Sequence, residues 1–274
     1  MTEGTHTGGL GSLGCGLVLA AEGVCIGFGG VRALDGVTLD VHDGEVLGLI
    51  GPNGAGKTSL LNCISGVYRP TRGRLVLDGT DLVGLRPHRI AARGVGRTFQ
   101  SLALFPGLSV LDNVTLGRHL RMRAGVLSSA VYWGRAQREE VRHRQVVEHI
   151  IDFLEMEGIR RTPVGALPYG LQKRVELGRA LALEPRLLLL DEPTSGMNVD
   201  EKEDIARFIL DINEEMGVTL LFVSHDIGVT MDICDRIVVL DQGRKVAEGP
   251  PHRILEDEAV IHAYLGDELA RHGR

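Results

Sequence analysis

One octapeptide limits what this chain can fold into. Gly51-Pro52-Asn53-Gly54-Ala55-Gly56-Lys57-Thr58 fits the pattern G-x-x-x-x-G-K-[ST]. The apolar residues 46–50 before it read as a buried strand, and residues 59–65 after it as the start of a helix. A glycine loop in that setting is a cradle for an anion. Glycine lets backbone N–H groups turn inward and approach a ligand closely. The helix N-terminus adds partial positive charge at the same point. The pattern therefore predicts a phosphate-binding loop running from Gly51 to Ser59, with Lys57 reaching the β- and γ-phosphates of a nucleotide and the Thr58 hydroxyl on Mg²⁺.

The rest of the chain supplies a sheet for this loop. Residues 17–26 read as a first strand broken at Gly23, followed by a loop at Phe28-Gly29-Gly30. Residues 37–41 alternate weakly, and His42-Asp43-Gly44 is a turn. Residues 74–77 enter a tight turn at Asp78-Gly79, so the N-terminal part is expected to be partly antiparallel. Ser109 is placed to cap a helix through Arg123, and a second helix is expected from about Arg135 to Glu157. Val147, Ile150, Ile151 and Leu154 form its one apolar face. Ahead of them stand Arg135, Arg138, Glu139, Glu140, Arg142 and Arg144, either a solvated helix face or a surface near a membrane partner. A helix follows Pro168 and runs to Leu183, before Pro185. The apolar run 187–190 suits a parallel strand buried on both faces. Residues 201–216 read as a helix, 218–223 as a buried strand, and 236–240 with 245–248 as a closing hairpin ahead of a small helical tail. The alternation predicts an α/β fold with a mainly parallel central sheet.

Composition excludes other classes. With 43% hydrophobic and 24% charged residues, the 274-residue chain has an ordinary globular balance. A net charge of −6 gives no overall basic footprint for nucleic acid. Cys15, Cys25, Cys63 and Cys234 form no C-x-x-C pair, so neither a disulfide framework nor a zinc site is expected, as suits a reducing cytosol. No apolar run approaches the roughly 20 residues that span a bilayer. The Gly- and Thr-rich residues 1–16 read as a flexible leader, and the short apolar run at 17–21, with no basic segment before it, is a poor signal peptide.

Three further groups belong at the sheet edge where open α/β proteins bind ligands. Asp191 and Glu192 close the run Leu187-Leu188-Leu189-Leu190. Asp191 suits Mg²⁺, and Glu192 suits a general base acting on water. His225, in Ser224-His225-Asp226, can reach a γ-phosphate and its attacking water, or cap the helix that follows. Gln100, after Arg97-Thr98-Phe99, can sense Mg²⁺ and water, or stand as a surface amide.

Together these segments resemble the Walker A motif (51–58), the Q-loop (Gln100), the Walker B motif (187–192) and the switch histidine (His225) of the ATP-binding cassette (ABC) ATPases. The resemblance implies an α/β P-loop NTPase of the ABC ATPase fold. That fold has a RecA-like core, an N-terminal antiparallel β part and an inserted helical subdomain, here at about 101–178. One ATP-binding domain would span 17–266, with a tail at 267–274. It implies ATP hydrolysis, with ATP and Mg²⁺ as cofactors. Lys57 would stabilise phosphate charge. Thr58, Asp191 and Gln100 would serve the metal, Glu192 would direct water, and Gln100 and His225 would report the γ-phosphate. Phe28 looks like the aromatic that stacks on adenine, with core packing as its other reading.

In that family two cassettes pair head to tail, and each ATP lies between one Walker A and the partner's signature loop. The signature segment here is Leu167-Pro168-Tyr169-Gly170-Leu171-Gln172-Lys173-Arg174, against the usual Leu-Ser-Gly-Gly-Gln. Pro168 offers neither a hydroxyl nor a backbone N–H, so the serine's contact in trans is not made, while Gly170 N–H and the helix end, in the segment with Tyr169 and Gln172, can still contribute. One reading is a weakened site on the partner's Walker A, which favours a heterodimer; the other is that backbone contacts suffice and the change is neutral. Ser195-Gly196-Met197-Asn198 stands at the D-loop, with Asn198 for the usual aspartate. The block 100–114 resembles the surface that receives coupling helices of membrane subunits; its other reading is a loop packed on its own helical subdomain.

Within the family the chain is similar to the ATP-binding subunits of branched-chain amino-acid importers. The similarity lies in Phe28-Gly29-Gly30-Val31-Arg32-Ala33-Leu34, Gly96-Arg97-Thr98-Phe99-Gln100, Leu104-Phe105-Pro106, Tyr169-Gly170, Gly196-Met197-Asn198 and Ala263-Tyr264-Leu265-Gly266. The resemblance implies a second ABC ATPase subunit, two transmembrane permease subunits and an external substrate-binding protein as partners, no nucleic acid, and a place at the cytoplasmic face of the membrane. Importers of urea or short amides and lipopolysaccharide exporters share much of the pattern. A soluble ABC protein uncoupled from transport, or a small-molecule P-loop kinase, is the alternative of another class.

Overall fold

A computed structural model describes residues 16–99, 102–121 and 135–264. The expected leader (but for Gly16), Gln100 and the tail at 267–274 lie outside the described residues. In chain order come β1 (Leu17–Phe28), β2 (Val31–His42), β3 (Val46–Ile50), α1 (Lys57–Ile64), β4 (Arg72–Leu77), β5 (Thr80–Asp81), α2 (Pro87–Ala91) and β6 (Val95–Arg97). The helical part follows with α3 (Val110–Leu116), α4 (Arg135–Phe153) and α5 (Tyr169–Leu181). The chain then returns through β7 (Leu187–Asp191), α6 (Val199–Met216), β8 (Thr219–Val223), α7 (Ile227–Ile233), β9 (Arg236–Asp241), β10 (Arg244–Gly249) and α8 (Pro251–Ile254).

The strands form two sheets. One is antiparallel, in the order β2-β1-β4-β5. The other runs β10-β9-β3-β8-β7-β6, parallel apart from the β9–β10 hairpin. Every residue of β3, β7 and β8 is buried, as parallel strands covered on both faces require. The period of two divides them. Val46, Ile50, Leu188, Leu190, Leu220 and Phe222 join a core with α4, α5 and α6, whereas Leu47, Leu49, Leu187, Leu189, Leu221 and Val223 join a second core with α1 and the antiparallel sheet.

Several boundaries differ from the sequence reading. The first strand is not broken at Gly23. It runs through a bulge there, with the register shifting between Ala21 and Val24 and Gly23 at φ +58°. The helix capped by Ser109 stops at Leu116, not Arg123. The next residue, Gly117, lies so close to α5 that a Cβ would stand 2.1 Å from the Arg179 carbonyl oxygen. The long helix ends at Phe153 rather than Glu157, because Leu154 and Met156 are fully buried and Glu155 turns to φ +54°. The α5 helix ends at Leu181 rather than Leu183, and α6 begins at Val199, earlier than expected, because Asn198 caps it.

Candidate functional site

Strands β3, β8 and β7 are neighbours, so the loops leaving their C-terminal ends share one sheet edge. Those loops carry residues 51–56, Ser224-His225 and Asp191-Glu192. The glycine loop is pinned where it could not carry side chains. Gly51 sits at φ +148° with an added Cβ 2.0 Å from the Leu240 carbonyl oxygen, and Gly56 at φ +104° with a Cβ 2.5 Å from the Ala33 carbonyl oxygen. Gly54, also at positive φ, has open space where a Cβ would stand. Asn53 and Gly54 are exposed, Pro52 is half-buried and Ala55 is buried. Gly56 caps α1 without a side-chain bond, and no acidic residue lies in the first turn, which leaves that helix end positive. Lys57 is buried at 7% exposure, and its Nζ donates to the Gly51 and Pro52 carbonyl oxygens at 2.6 and 3.0 Å. Beside it Thr58 is exposed and Ser59 half-buried.

At the next strand end Asp191 is 2% exposed. Its Oδ2 accepts from Arg97 Nη2 at 3.0 Å, while its Oδ1 is buried with no hydrogen-bond partner among the described residues. Burial pushes the Asp191 carboxyl up from its ordinary pKa, against the pull of the Arg97 hydrogen bond and charge, and the Glu192 carboxylate adds to the rise. A buried carboxylate oxygen without a partner is unfavourable. It fits a hard cation, for which carboxylate and hydroxyl oxygens are the natural ligands.

Glu192 follows at φ +50°, a region that non-glycine residues rarely occupy. The turn is held by Glu192 N–H on the Val223 carbonyl at 2.9 Å and Ser195 N–H on the Glu192 carbonyl at 3.2 Å. Glu192 Oε1 then stands 3.5 Å from Nδ1 of His225, which is 59% exposed. His225 does not cap the following helix. Asp226 does, its Oδ1 accepting from Val229 N–H at 3.3 Å, with Lys202 Nζ on Oδ2 at 2.6 Å.

The signature segment sits elsewhere, packed on the start of α6. Pro168 caps α5 with no side-chain bond. Tyr169 is 40% exposed and lies over Gly196, where a Cβ would stand 3.4 Å from its ring. A Cβ on Gly170 would stand 2.5 Å from Glu201 Oε1. Gln172 turns back to donate to the Leu167 carbonyl at 2.8 Å. Asn198 and Glu201 form a capping box, with Asn198 Oδ1 accepting from Glu201 N–H at 2.9 Å. Phe28 ends β1 at 47% exposure, its ring edge-on to Tyr68 with centroids 5.0 Å apart. The ring therefore keeps an open side, and core packing does not account for it. Gln100 lies outside the described residues. Its neighbour Phe99 is fixed at both backbone groups, N–H to Glu176 Oε1 at 3.3 Å and carbonyl from Lys173 Nζ at 3.1 Å. Of the charge run ahead of α4's apolar face, Glu140, Arg142 and Arg144 are exposed.

Sequence reasoning gave Arg97 no role, although the structure places it against Asp191. The available signal was an arginine at the end of a short strand-like segment just before Gln100.

The chain matches the ABC transporter family over residues 34–195 and the branched-chain amino acid ATP-binding cassette transporter family over residues 244–270. It is 37% identical to the high-affinity branched-chain amino acid transport ATP-binding protein BraF of Pseudomonas aeruginosa, across 91% of this chain and 98% of that protein. Among solved structures, an ATP-binding cassette of an ABC transporter in its ADP conformation superposes with a TM-score of 0.79 at 30% identity, covering 91% of this chain and 99% of that one. A dimeric ATP-binding cassette in a post-hydrolysis state, bound to ADP and Pi, superposes with a TM-score of 0.71 at 28% identity, covering 85% and 98%.

Proposed function

Because this chain belongs to the ATP-binding proteins of ABC transporters, we propose that it is the ATP-hydrolysing subunit of an importer for branched-chain or related amino acids. The observation that carries the site assignment is the meeting, at one sheet edge, of the glycine cradle, the buried Asp191 oxygen without a partner and the Glu192–His225 pair.

ATP lies with its phosphates in the loop 51–59 and its adenine on Phe28. Lys57, held by two loop carbonyls, passes its hydrogen bonds to the β- and γ-phosphates. Thr58, Asp191 and Gln100 are the residues that would hold Mg²⁺, which when bound neutralises developing phosphate charge. Glu192 accepts a proton from the attacking water as general base, aimed by its backbone turn. His225, beside that carboxylate, orients the water toward the γ-phosphate, and Gln100 reports its presence.

Hydrolysis is coupled to transport through a cassette dimer. The signature segment, with Pro168, Tyr169, Gly170 and Gln172, completes the partner's ATP site. Its bare helix cap at Pro168 supports pairing with a different ATPase subunit whose own signature is intact. Among the described residues no helix is long and apolar enough to cross a membrane. In this reading the attachment is peripheral, at the cytoplasmic face, through two permease subunits that an external binding protein supplies. The cargo assignment rests on the match at residues 244–270 and on the relatives' names.

The test is uptake of labelled leucine, isoleucine and valine, with urea as control, in a strain carrying Glu192→Gln. The purified variant should bind ATP normally and turn over at least about 100-fold more slowly. Loss of amino-acid uptake alone is the expected result. Normal uptake of all four compounds would reject the cargo, and unchanged turnover would remove Glu192 from its role.

A further inference from the structure

Arg97 belongs to none of the nucleotide motifs, yet it is tied to the centre of the site. It ends β6 with its side chain 7% exposed. Nη1 donates to Asn62 Oδ1 at 2.7 Å and Ser65 Oγ at 2.8 Å, both at the C-terminal end of α1. Nη2 donates to Asp191 Oδ2 at 3.0 Å, and the guanidinium lies over the Phe99 ring, 5.1 Å from its centroid. A planar fork fixed on three polar groups and one ring face has a single orientation. The carboxylate it meets inherits that orientation. Left alone, an aspartate side chain turns about its terminal torsion, which is broad and roughly two-fold, and its oxygens exchange places. Here one oxygen is committed to the fork and the other is buried with no hydrogen-bond partner among the described residues.

We propose that Arg97 is a positioning residue of the metal site. By engaging Oδ2 it reserves Oδ1 of Asp191 as the atom offered to a divalent cation. This rests on the reading of the site as one for a nucleotide with its metal.

The Arg97 fork is itself steadied from the helical part. Phe99, whose ring it covers, is held at N–H and carbonyl by Glu176 and Lys173 of α5, which are 1% and 2% exposed and 3.2 Å apart. The helix capped by Pro168 therefore reaches the metal carboxylate through Phe99 and Arg97. A mere pin between β6 and α1 needs no bond to Asp191; a positioning residue does.

The experiment uses the purified full chain. Arg97→Lys keeps the charge and removes the fork. Affinity for a fluorescent ADP analogue is measured in EDTA, and Mn²⁺ binding in the presence of ADP is followed by electron paramagnetic resonance. ADP affinity in EDTA should stay within about twofold, while half-saturation by Mn²⁺ should rise about tenfold, as when the partner of a metal-ligating side chain is lost. Unchanged Mn²⁺ binding, or an equal loss of ADP and Mn²⁺ binding, would overturn the proposal.

Asn62→Ala provides the second arm should Arg97→Lys fail to fold. It removes one support of Nη1 and leaves the guanidinium in place. Mn²⁺ half-saturation should rise about two- to threefold, and no rise would overturn the proposal as well. Failure of the unaltered chain to bind ADP in EDTA would instead refute the nucleotide-site reading, a separate outcome.

Discussion

Replacing Pro168 by serine changes one helix start and one contact across the cassette dimer, and the two effects differ in size. Pro168 sits at φ −54°, ψ 154° as the cap of α5 and has no side-chain oxygen to offer. Serine accepts that geometry and would bond the first turn, stabilising it by about 1 kcal/mol. Removing proline returns about 0.4–1 kcal/mol of freedom to the unfolded chain. The two nearly cancel, so stability to urea should move by less than about 1 kcal/mol. The new hydroxyl can accept from the helix and still donate to the partner's γ-phosphate. A hydrogen bond to a charged group contributes about 1.5–3 kcal/mol. If it forms fully in the transition state, that corresponds to roughly 10- to 100-fold in rate. The assay is ATPase activity of the assembled complex with Glu192→Gln also present in this chain. That silences the site on its own Walker A and leaves the one its signature completes. A rise of about tenfold or more without a stability change is expected. An unchanged rate would refute the reasoning that Pro168 weakens the partner's site.

Two further outcomes concern stability. Lys173→Met should strand the buried Glu176 carboxylate and cost about 3–5 kcal/mol in urea unfolding, and Glu176→Leu a similar amount. The double variant should lose only about 1–3 kcal/mol, because the stranded charge is gone while the Phe99 backbone groups lose their partners. Additivity of the single effects to within about 0.5 kcal/mol would sink this account. Lys202 holds the Asp226 carboxyl below its ordinary value of 3.8, by hydrogen bond and charge, with help from the Val229 N–H. A folded-state pKa below the unfolded one means stabilisation that is present above pH 3.8 and fades as pH falls through the folded value. With both side chains about a quarter to a third exposed, Lys202→Met should cost at most about 1 kcal/mol at pH 7. The difference from the unaltered chain should shrink in thermal melts as pH is lowered below 3.8; a constant difference would contradict the pairing.

The parts of the fold legible in the sequence are those fixed by short-range physics. β3, β7 and β8 are uninterrupted apolar runs because both faces are covered, and the glycine loop is set by its neighbours on either side. Asp191, Glu192 and His225 are legible because each lies at or within two residues of the end of such a run. What escaped the reading depends on distant chain. Arg97 and Asp191 are 94 positions apart in sequence, so nothing local marks the pair. Lys173 reads as part of a polar, basic stretch, yet it is 3% exposed, paired with Glu176 and Phe99. The close approach of the α5 backbone to Gly117, just past the end of α3, is likewise a contact with distant chain. The capping box of α6 was missed because Asn198 was read only as a substitute for an aspartate facing the partner.

Glu201 has a double attachment. Its carboxylate accepts from the Asn198 N–H at 3.1 Å and also fills the space beside Gly170, while Tyr169 roofs Gly196. The signature and D-loop segments are thus one interlocked block, although they are separate in sequence. A methyl group at residue 170 would displace the Glu201 carboxylate and loosen the beginning of α6. The small residue at 170 therefore serves this chain's own fold before any partner arrives, and a change in either segment would be felt in both.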